Sequence, residues 1–343
     1  LFGRGLGDSP LSNVGADYFL VQLPEREMNK FISAFDIPDF AAFLQEAQQV
    51  KQTPFAWKTL GLNKTIGLIF MNPSLRTRLS TQKAALNLGM APMVMNIDKD
   101  GWKLASGEGV IMNGDAAEHV KDAVAVMGQY CDIIGVRSFP LLVNREEDYA
   151  ENIIGDFIRY AGVPVVSLES ATRHPLQSAA DLITIEQYKT TPRPKIVLTW
   201  APHPRALPQA VPNSFAEWMC AAGADLTIAH PEGYELDPKF TDGAKIVHDQ
   251  AAAFRNADFI YAKNWSSYHE YGQILCRDRA WMVDQAKMQL TNNAKFMHCL
   301  PVRRNVVVED AVIDGPHSIV IQQAANRVVA AQVVLKRMLE AMV

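Results

Sequence analysis

Thr65-Ile66-Gly67-Leu68-Ile69-Phe70-Met71-Asn72-Pro73-Ser74-Leu75-Arg76-Thr77-Arg78 reads as a buried strand running into the polar start of a helix. Residues 65–71 are apolar at nearly every position, as in a parallel strand covered on both faces. After Arg78 a helical pattern runs to Gly89, a natural C-cap. The cluster Ser74–Arg78 therefore occupies a helix N-terminus at the carboxyl end of a strand, where free backbone N–H groups and the helix dipole favour an anion. Ser74 and Thr77 can add hydroxyl hydrogen bonds, and Arg76 and Arg78 bidentate charge-assisted ones. On position alone, a capped helix with two solvated arginines stays open as well.

Outward from this stretch, short apolar runs alternate with longer helical patterns, an α/β signature. The expected strands are Thr65–Met71, Pro92–Ile97, Cys131–Val136, Pro164–Leu168, Lys195–Trp200, Asp225–Ala229, Asp258–Ala262, Phe296–Cys299 and Ser318–Ile321. Nine strands in 343 residues suit two doubly wound parallel-sheet domains with a cleft between them. The junction is expected near Glu169–His174. A final helix over about residues 323–342 should pack back on the first domain, and the proline-rich segment Ala201–Asn213 reads as a long ordered loop. Residues 1–27 are glycine-rich and unpatterned before Met28-Asn29-Lys30-Phe31, so they read as an expression remnant or a loose arm.

Composition excludes several classes of function. Hydrophobic residues at 48% and charged residues at 20% describe a packed globular chain. A net charge of −4 lacks the basic field that nucleic-acid binding needs, so any anion site must be local. No apolar run approaches the roughly 20 residues that cross a bilayer, and a cytoplasmic enzyme is expected. Cys131, Cys220, Cys276 and Cys299 are widely spaced, without the paired pattern of a zinc or dithiol site.

Other polar groups fall on the same rim. Arg137 follows the strand Cys131–Val136, and His174-Pro175-Leu176-Gln177 opens the helix after Pro164–Leu168. His298-Cys299-Leu300-Pro301 ends another apolar run. A lone His such as His174 is more often structural than catalytic. A thiol-protease pairing of His298 with Cys299 is disfavoured, because neighbours in an extended segment point to opposite sides.

Ser74-Leu75-Arg76-Thr77-Arg78, Arg137, His174-Pro175-Leu176-Gln177 and His298-Cys299-Leu300-Pro301 occur in the order and spacing of the transcarbamylases, which the chain resembles from about residue 28 onward. Thr199-Trp200-Ala201-Pro202-His203-Pro204-Arg205, Lys263-Asn264-Trp265 and Val302-Arg303-Arg304-Asn305 resemble the branch that acts on N-acylated ornithines. The resemblance implies carbamoyl transfer from carbamoyl phosphate to the side-chain amine of N-succinylornithine, in arginine biosynthesis, with N-acetylornithine as the alternative acceptor and a silent anion-binding relative as a remote one. It implies that Ser74, Leu75, Arg76, Thr77, Arg137, His174, Gln177, Cys299, Leu300 and Arg327 hold carbamoyl phosphate, with Trp102 arriving from a neighbouring subunit of a homotrimer. Arg137, His174 and Thr77 would be the catalytic donors. Glu169, Lys263, Arg303 and Ala117 would face the acylornithine, although Lys263 and Arg303 could equally be surface charges and Trp102 a locally packed aromatic. Residues 28–170 with 323–343 would form the carbamoyl phosphate domain and 171–322 the acylornithine domain, in a chain knotted around the proline-rich segment. No metal and no cofactor is expected, nor any nucleic-acid or membrane partner.

Where Ala117 stands, the acetyl branch carries Glu, whose charge would repel a succinyl tail, and the succinyl branch carries Pro. The acetyl branch also has a Lys shortly after its Arg-Arg-Asn, where this chain reads Val306-Val307-Val308.

Overall fold

The computed structural model describes residues 28–342; the segment 1–27, read above as a remnant or arm, lies outside them. Twelve strands follow in chain order: β1 Lys30–Phe31, β2 Thr65–Phe70, β3 Ala91–Asn96, β4 Leu104–Ala105, β5 Glu118–His119, β6 Ile133–Arg137, β7 Val165–Glu169, β8 Lys195–Trp200, β9 Asp225–Ala229, β10 Lys245–Val247, β11 Phe259–Lys263 and β12 Lys295–Met297. They form two five-stranded sheets, β1-β7-β6-β2-β3 and β10-β9-β8-β11-β12, and a small β4-β5 pair. Every pairing is parallel. The central strands are buried along nearly their whole length, which is why their sequences are continuously apolar.

Eight of the nine expected strands are present, two with the expected bounds and six with ends shifted by one or two residues. The ninth, Ser318–Ile321, is a correction. Ser318 makes a single bridge to Phe296, and the chain then enters the helix Val320–Glu340. The run Ile319-Val320-Ile321 has strand composition, but it belongs to a helix whose buried face continues through Val329, Val333 and Leu339. The proline-rich segment is also shorter than expected, because a helix begins at Ala210. Pro212 sits in its first turn, where a missing N–H breaks no intrahelical bond.

The last helix packs on three others, Phe40–Gln52, Arg76–Leu88 and Pro175–Tyr188. Helix Pro175–Tyr188 in turn touches β7 and helix Ala210–Ala221, and so ties the two sheets together. Its residues 175–185 are all buried, so its polar members Gln177, Asp181 and Thr184 must find partners inside. One apolar core, with Phe31, Leu68, Trp200, Phe215 and Trp218, spans both sheets. Among the described residues no helix is long and apolar enough to cross a membrane.

Candidate active site

Each sheet reverses its winding once. In the first, β3 lies on one side of β2 and β6 on the other; in the second, β9 and β11 flank β8 in the same way. Ligands of such sheets bind beyond the carboxyl ends of the strands at these reversal points. The residues there are Asn72–Arg78 after β2, Arg137 at the end of β6, Ala201 after β8 and Lys263 at the end of β11.

Helix Arg76–Leu88 starts as the sequence predicts and ends at Gly89, whose φ of 85° and close approach to Lys58 O leave no room for a side chain. Among the described residues no side chain caps its N-terminus, which leaves its first N–H groups for an anion. Arg76 is half-buried, its Nε unpartnered among the described residues, and burial lowers its pKa. Arg78 departs from expectation. It donates to Asn96 Oδ1 and lies over the Phe70 ring, 5.0 Å from its centroid, so its charge braces β3 instead of joining the anion cradle.

A β-bulge between Val136 and Arg137 turns Arg137 toward Glu169. Its Nε and Nη2 donate to Glu169 Oε2 at 3.2 and 2.9 Å, and Nη1 donates to the carbonyls of Asn72 and Pro73 at 3.0 and 2.7 Å. Arg137 thus fixes the loop that leads into the anion-binding helix. Glu169, expected on the acylornithine, is bound here to Arg137, with its Oε2 3.5 Å from His174 Nε2. Burial pushes the Glu169 carboxyl up while Arg137 opposes it.

Arg327, from the last helix, enters the same cluster. It donates to Thr77 Oγ1 at 2.6 Å and Gln177 Oε1 at 2.8 Å, and burial brings its pKa down to about 10. His174 is fully buried and its pKa falls well below the usual value, first through burial and then through Arg327, Arg137 and Arg76. The ring is therefore neutral near pH 7 and can offer one N–H as a donor. Gln177 donates to Asp181 Oδ1 at 2.8 Å, and Gln323 to the same oxygen at 2.7 Å. Sequence reading missed Asp181 and Gln323; the signal for Asp181 was the polar stripe Gln177, Asp181 and Thr184 at i, i+4 and i+7 on an otherwise apolar helix face.

Gln323 also accepts from the His298 N–H at 2.9 Å, which fastens the His298-Cys299-Leu300-Pro301 segment. Leu300, at φ 53°, donates its N–H to His298 Nδ1 at 2.8 Å, so that nitrogen carries the lone pair of a neutral ring. Burial raises the Cys299 thiol, which leaves it a poor nucleophile. Lys263 is buried at the end of β11 and helps to lower His298, after burial itself. Its charge and that of Arg303, an exposed side chain, also reach His203, which the sequence reading had not assigned to the site.

Trp102 and Ala117 sit on the segment that carries β4 and β5, and among the described residues neither is hydrogen-bonded to this cluster. Trp102 is 59% exposed and donates to Glu118 Oε2 at 2.9 Å; Ala117 is exposed and donates its N–H to Lys103 O at 3.1 Å. Ser74 and Leu75 stand at the helix start, with Leu75 exposed.

The arrangement combines a helix N-terminus, three arginines and a lysine against the carboxylates of Glu169 and Asp181, and burial raises the pKa of both acids. It can hold a phosphoryl dianion while neutral donors polarise an attached carbonyl.

Comparison with known proteins agrees. Residues 30–187 match the aspartate/ornithine carbamoyltransferase carbamoyl-P binding domain, and residues 208–338 the Asp/Orn binding domain of the same family. The chain is 61% identical to an N-succinylornithine carbamoyltransferase of Bacteroides fragilis, covering 91% of this chain and 99% of that one. It is 37% identical to an N-acetylornithine carbamoyltransferase of Xanthomonas campestris, over 83% and 90% of the two chains. A crystal structure of a mutant N-acetyl-L-ornithine transcarbamylase, complexed with carbamyl phosphate and N-succinyl-L-norvaline, superposes with a TM-score of 0.85 at 34% identity, over 90% of this chain and 99% of that one. The chain belongs to the aspartate/ornithine carbamoyltransferase family.

Proposed function

We propose that the protein transfers the carbamoyl group of carbamoyl phosphate to the δ-amine of N-succinylornithine, releasing N-succinylcitrulline and phosphate. The observation that carries the reaction is the convergence of Arg137, Arg327, Thr77, His174 and Gln177 on the N-terminus of helix Arg76–Leu88. In this reading Ser74, Leu75, Arg76 and Thr77 hold the phosphate. The neutral amine nitrogen attacks the carbamoyl carbon and forms the C–N bond, and an electron pair moves onto the carbonyl oxygen. Arg137, His174 and the Thr77 hydroxyl donate to that oxygen, each such donor contributing about 2.7–4 kcal/mol in comparable sites. The pair then returns, the bond from carbon to the phosphate oxygen breaks, and phosphate leaves with the surplus amine proton. Backbone carbonyls at Cys299 and Leu300 orient the carbamoyl NH₂.

Lys263 and Arg303 serve the acceptor's carboxylates. Glu169 contributes through Arg137, and it meets the amino-acid part of the acceptor when the cleft closes. Ala117 favours succinyl. The relatives at 60–61% identity carry the succinyl name and those at 36–38% the acetyl name. Several solved neighbours that hold N-succinyl-L-norvaline are acetyl enzymes in which a glutamate was replaced by Ala, Val, Pro or Ser. This fits a site whose acyl choice depends on removing one carboxylate.

The assembly proposed is a cytoplasmic homotrimer, working in arginine biosynthesis. Trp102 and Ala117 ride on one segment, tied by the Trp102–Glu118 bond, so both would enter a neighbouring subunit's site together. The exposed side chains Trp102, Val110, Ile111 and Met112 give that segment an apolar surface to bury there.

Assaying N-succinylornithine and N-acetylornithine side by side, each with carbamoyl phosphate, tests the proposal. A clear succinyl preference is expected. A preference for acetyl would overturn the acceptor, and no turnover with either would overturn the reaction.

A further inference from the structure

Two histidines and a glutamate meet at the carboxyl end of the second sheet, two and three strands out from Lys263. His230 follows β9, Glu235 lies in the loop just past the turn beyond it, and His248 follows β10. One ligand-capable atom from each lies within 4.8 Å of the other two. The rings pack edge to face, with centroids 5.0 Å apart.

The hydrogen bonds define what each ring has left to offer. His230 Nδ1 lies 2.8 Å from Pro231 O, and His248 Nδ1 lies 3.0 Å from His230 O. A carbonyl only accepts, so both Nδ1 atoms carry a proton, and in the neutral form of each ring Nε2 carries the lone pair. The His230 ring is 1% exposed, and its Nε2 has no hydrogen-bond partner among the described residues. A buried acceptor without a donor is costly and calls for an explanation. An Nδ1–H anchored on a backbone carbonyl with Nε2 free is also the way proteins orient imidazoles that bind metals.

We propose that His230, Glu235 and His248 form a site for one zinc-class divalent ion, bound through both Nε2 atoms and the Glu235 carboxylate, with water completing the shell. Bonds of about 2.0–2.2 Å put tetrahedral ligands about 3.4 Å apart. The exposed His248 and the half-buried Glu235 can close that distance by rotation, with His230 fixed. Two imidazoles and one carboxylate suit zinc, cobalt, nickel or copper better than magnesium or calcium, which take oxygen ligands. The ion takes no part in the transfer chemistry. Tyr234, next to Glu235, accepts from Trp265 Nε1 through its carbonyl at 2.8 Å, and Trp265 lies two residues past Lys263. Bound metal would therefore stiffen the wall that carries Lys263.

The test uses the full chain, free of any affinity tag and stripped with chelator, titrated with Zn²⁺ and with Co²⁺. One equivalent per chain is expected, with Co²⁺ showing the strong visible absorption of low coordination number. His248→Ala and Glu235→Gln should each weaken binding at least about tenfold and leave metal-free turnover unchanged. His248 is exposed, so its replacement leaves the fold intact. The proposal is overturned if the wild-type chain shows no saturable binding, or if both variants bind as it does.

Discussion

The Arg327 guanidinium donates to Thr77 Oγ1 at 2.6 Å across 250 residues of sequence, joining the last helix to the helix that starts the anion site. The bond occupies a lone pair of the hydroxyl and so leaves the Thr77 proton free to point at a ligand. A second Arg327 nitrogen holds Gln177 Oε1 at 2.8 Å, so one planar fork sets two ligand-facing groups. Lysine cannot reproduce the fork. Arg327→Lys should lower kcat/KM by about a hundredfold or more, on the scale of one lost transition-state donor. Steady-state kinetics beside circular dichroism checks this, and near wild-type turnover would show that Arg327 only packs the helix.

Asp181 is fully buried, and burial pushes its pKa up to about 7 against an ordinary 3.8. Between those values the folded chain binds the extra proton, so this group's contribution to stability is complete below about 3.8 and is lost as pH rises through about 7. Each pH unit between about 3.8 and about 7 costs about 1.4 kcal/mol, and above about 7, where both states have lost the proton, the cost stays constant. Asp181→Asn keeps an acceptor for Gln177 and Gln323 and removes the titration, so the variant should gain on the wild type as pH rises from about 4 to about 7 and keep that margin above it. Denaturant unfolding across that range measures the difference, and a constant gap would contradict the assignment.

Ala117→Glu restores the carboxylate that the acetyl branch carries there. We expect kcat/KM for N-succinylornithine to fall at least tenfold, more than for N-acetylornithine, since two desolvated carboxylates repel by a few kcal/mol. Equal losses on both acceptors would place Ala117 outside the acyl pocket.

Shared sites predict complementation. Trp102→Ala and Arg76→Ala homo-oligomers should both be nearly inactive, whereas mixed oligomers contain some sites with both residues intact. Recovery of a measurable fraction of wild-type activity is expected in verified mixtures, and none would mean that each chain completes its own site.

How much of this could be read in the chain depends on where the information lies. The strands of both sheets were legible because burial on two faces leaves an uninterrupted apolar run, and the anion site because Ser74, Arg76 and Thr77 sit together at a strand-to-helix turn. The short edge strand Lys245–Val247 was missed because its side chains are partly exposed and so carry no such run. Ser318–Ile321 misled for the opposite reason, since β-branched residues opening a buried helix have strand composition. The partners of Arg137 were hidden because two are carbonyls of Asn72 and Pro73, which no residue type announces. The Asp181–Gln323 link joins residues 142 apart and exists only once the last helix has docked.

We infer that the start of helix Arg76–Leu88, with Arg76 beside it, grips the phosphoryl group of the donor while Arg137 and His174 face its carbonyl. A crystal of the protein with a phosphonate analogue of carbamoyl phosphate puts this to the test. The phosphonate oxygens should lie within hydrogen-bonding distance of the helix's first N–H groups and of Arg76, with the analogue's carbonyl toward Arg137 and His174. An analogue bound elsewhere, with Arg76 turned to solvent, would contradict it.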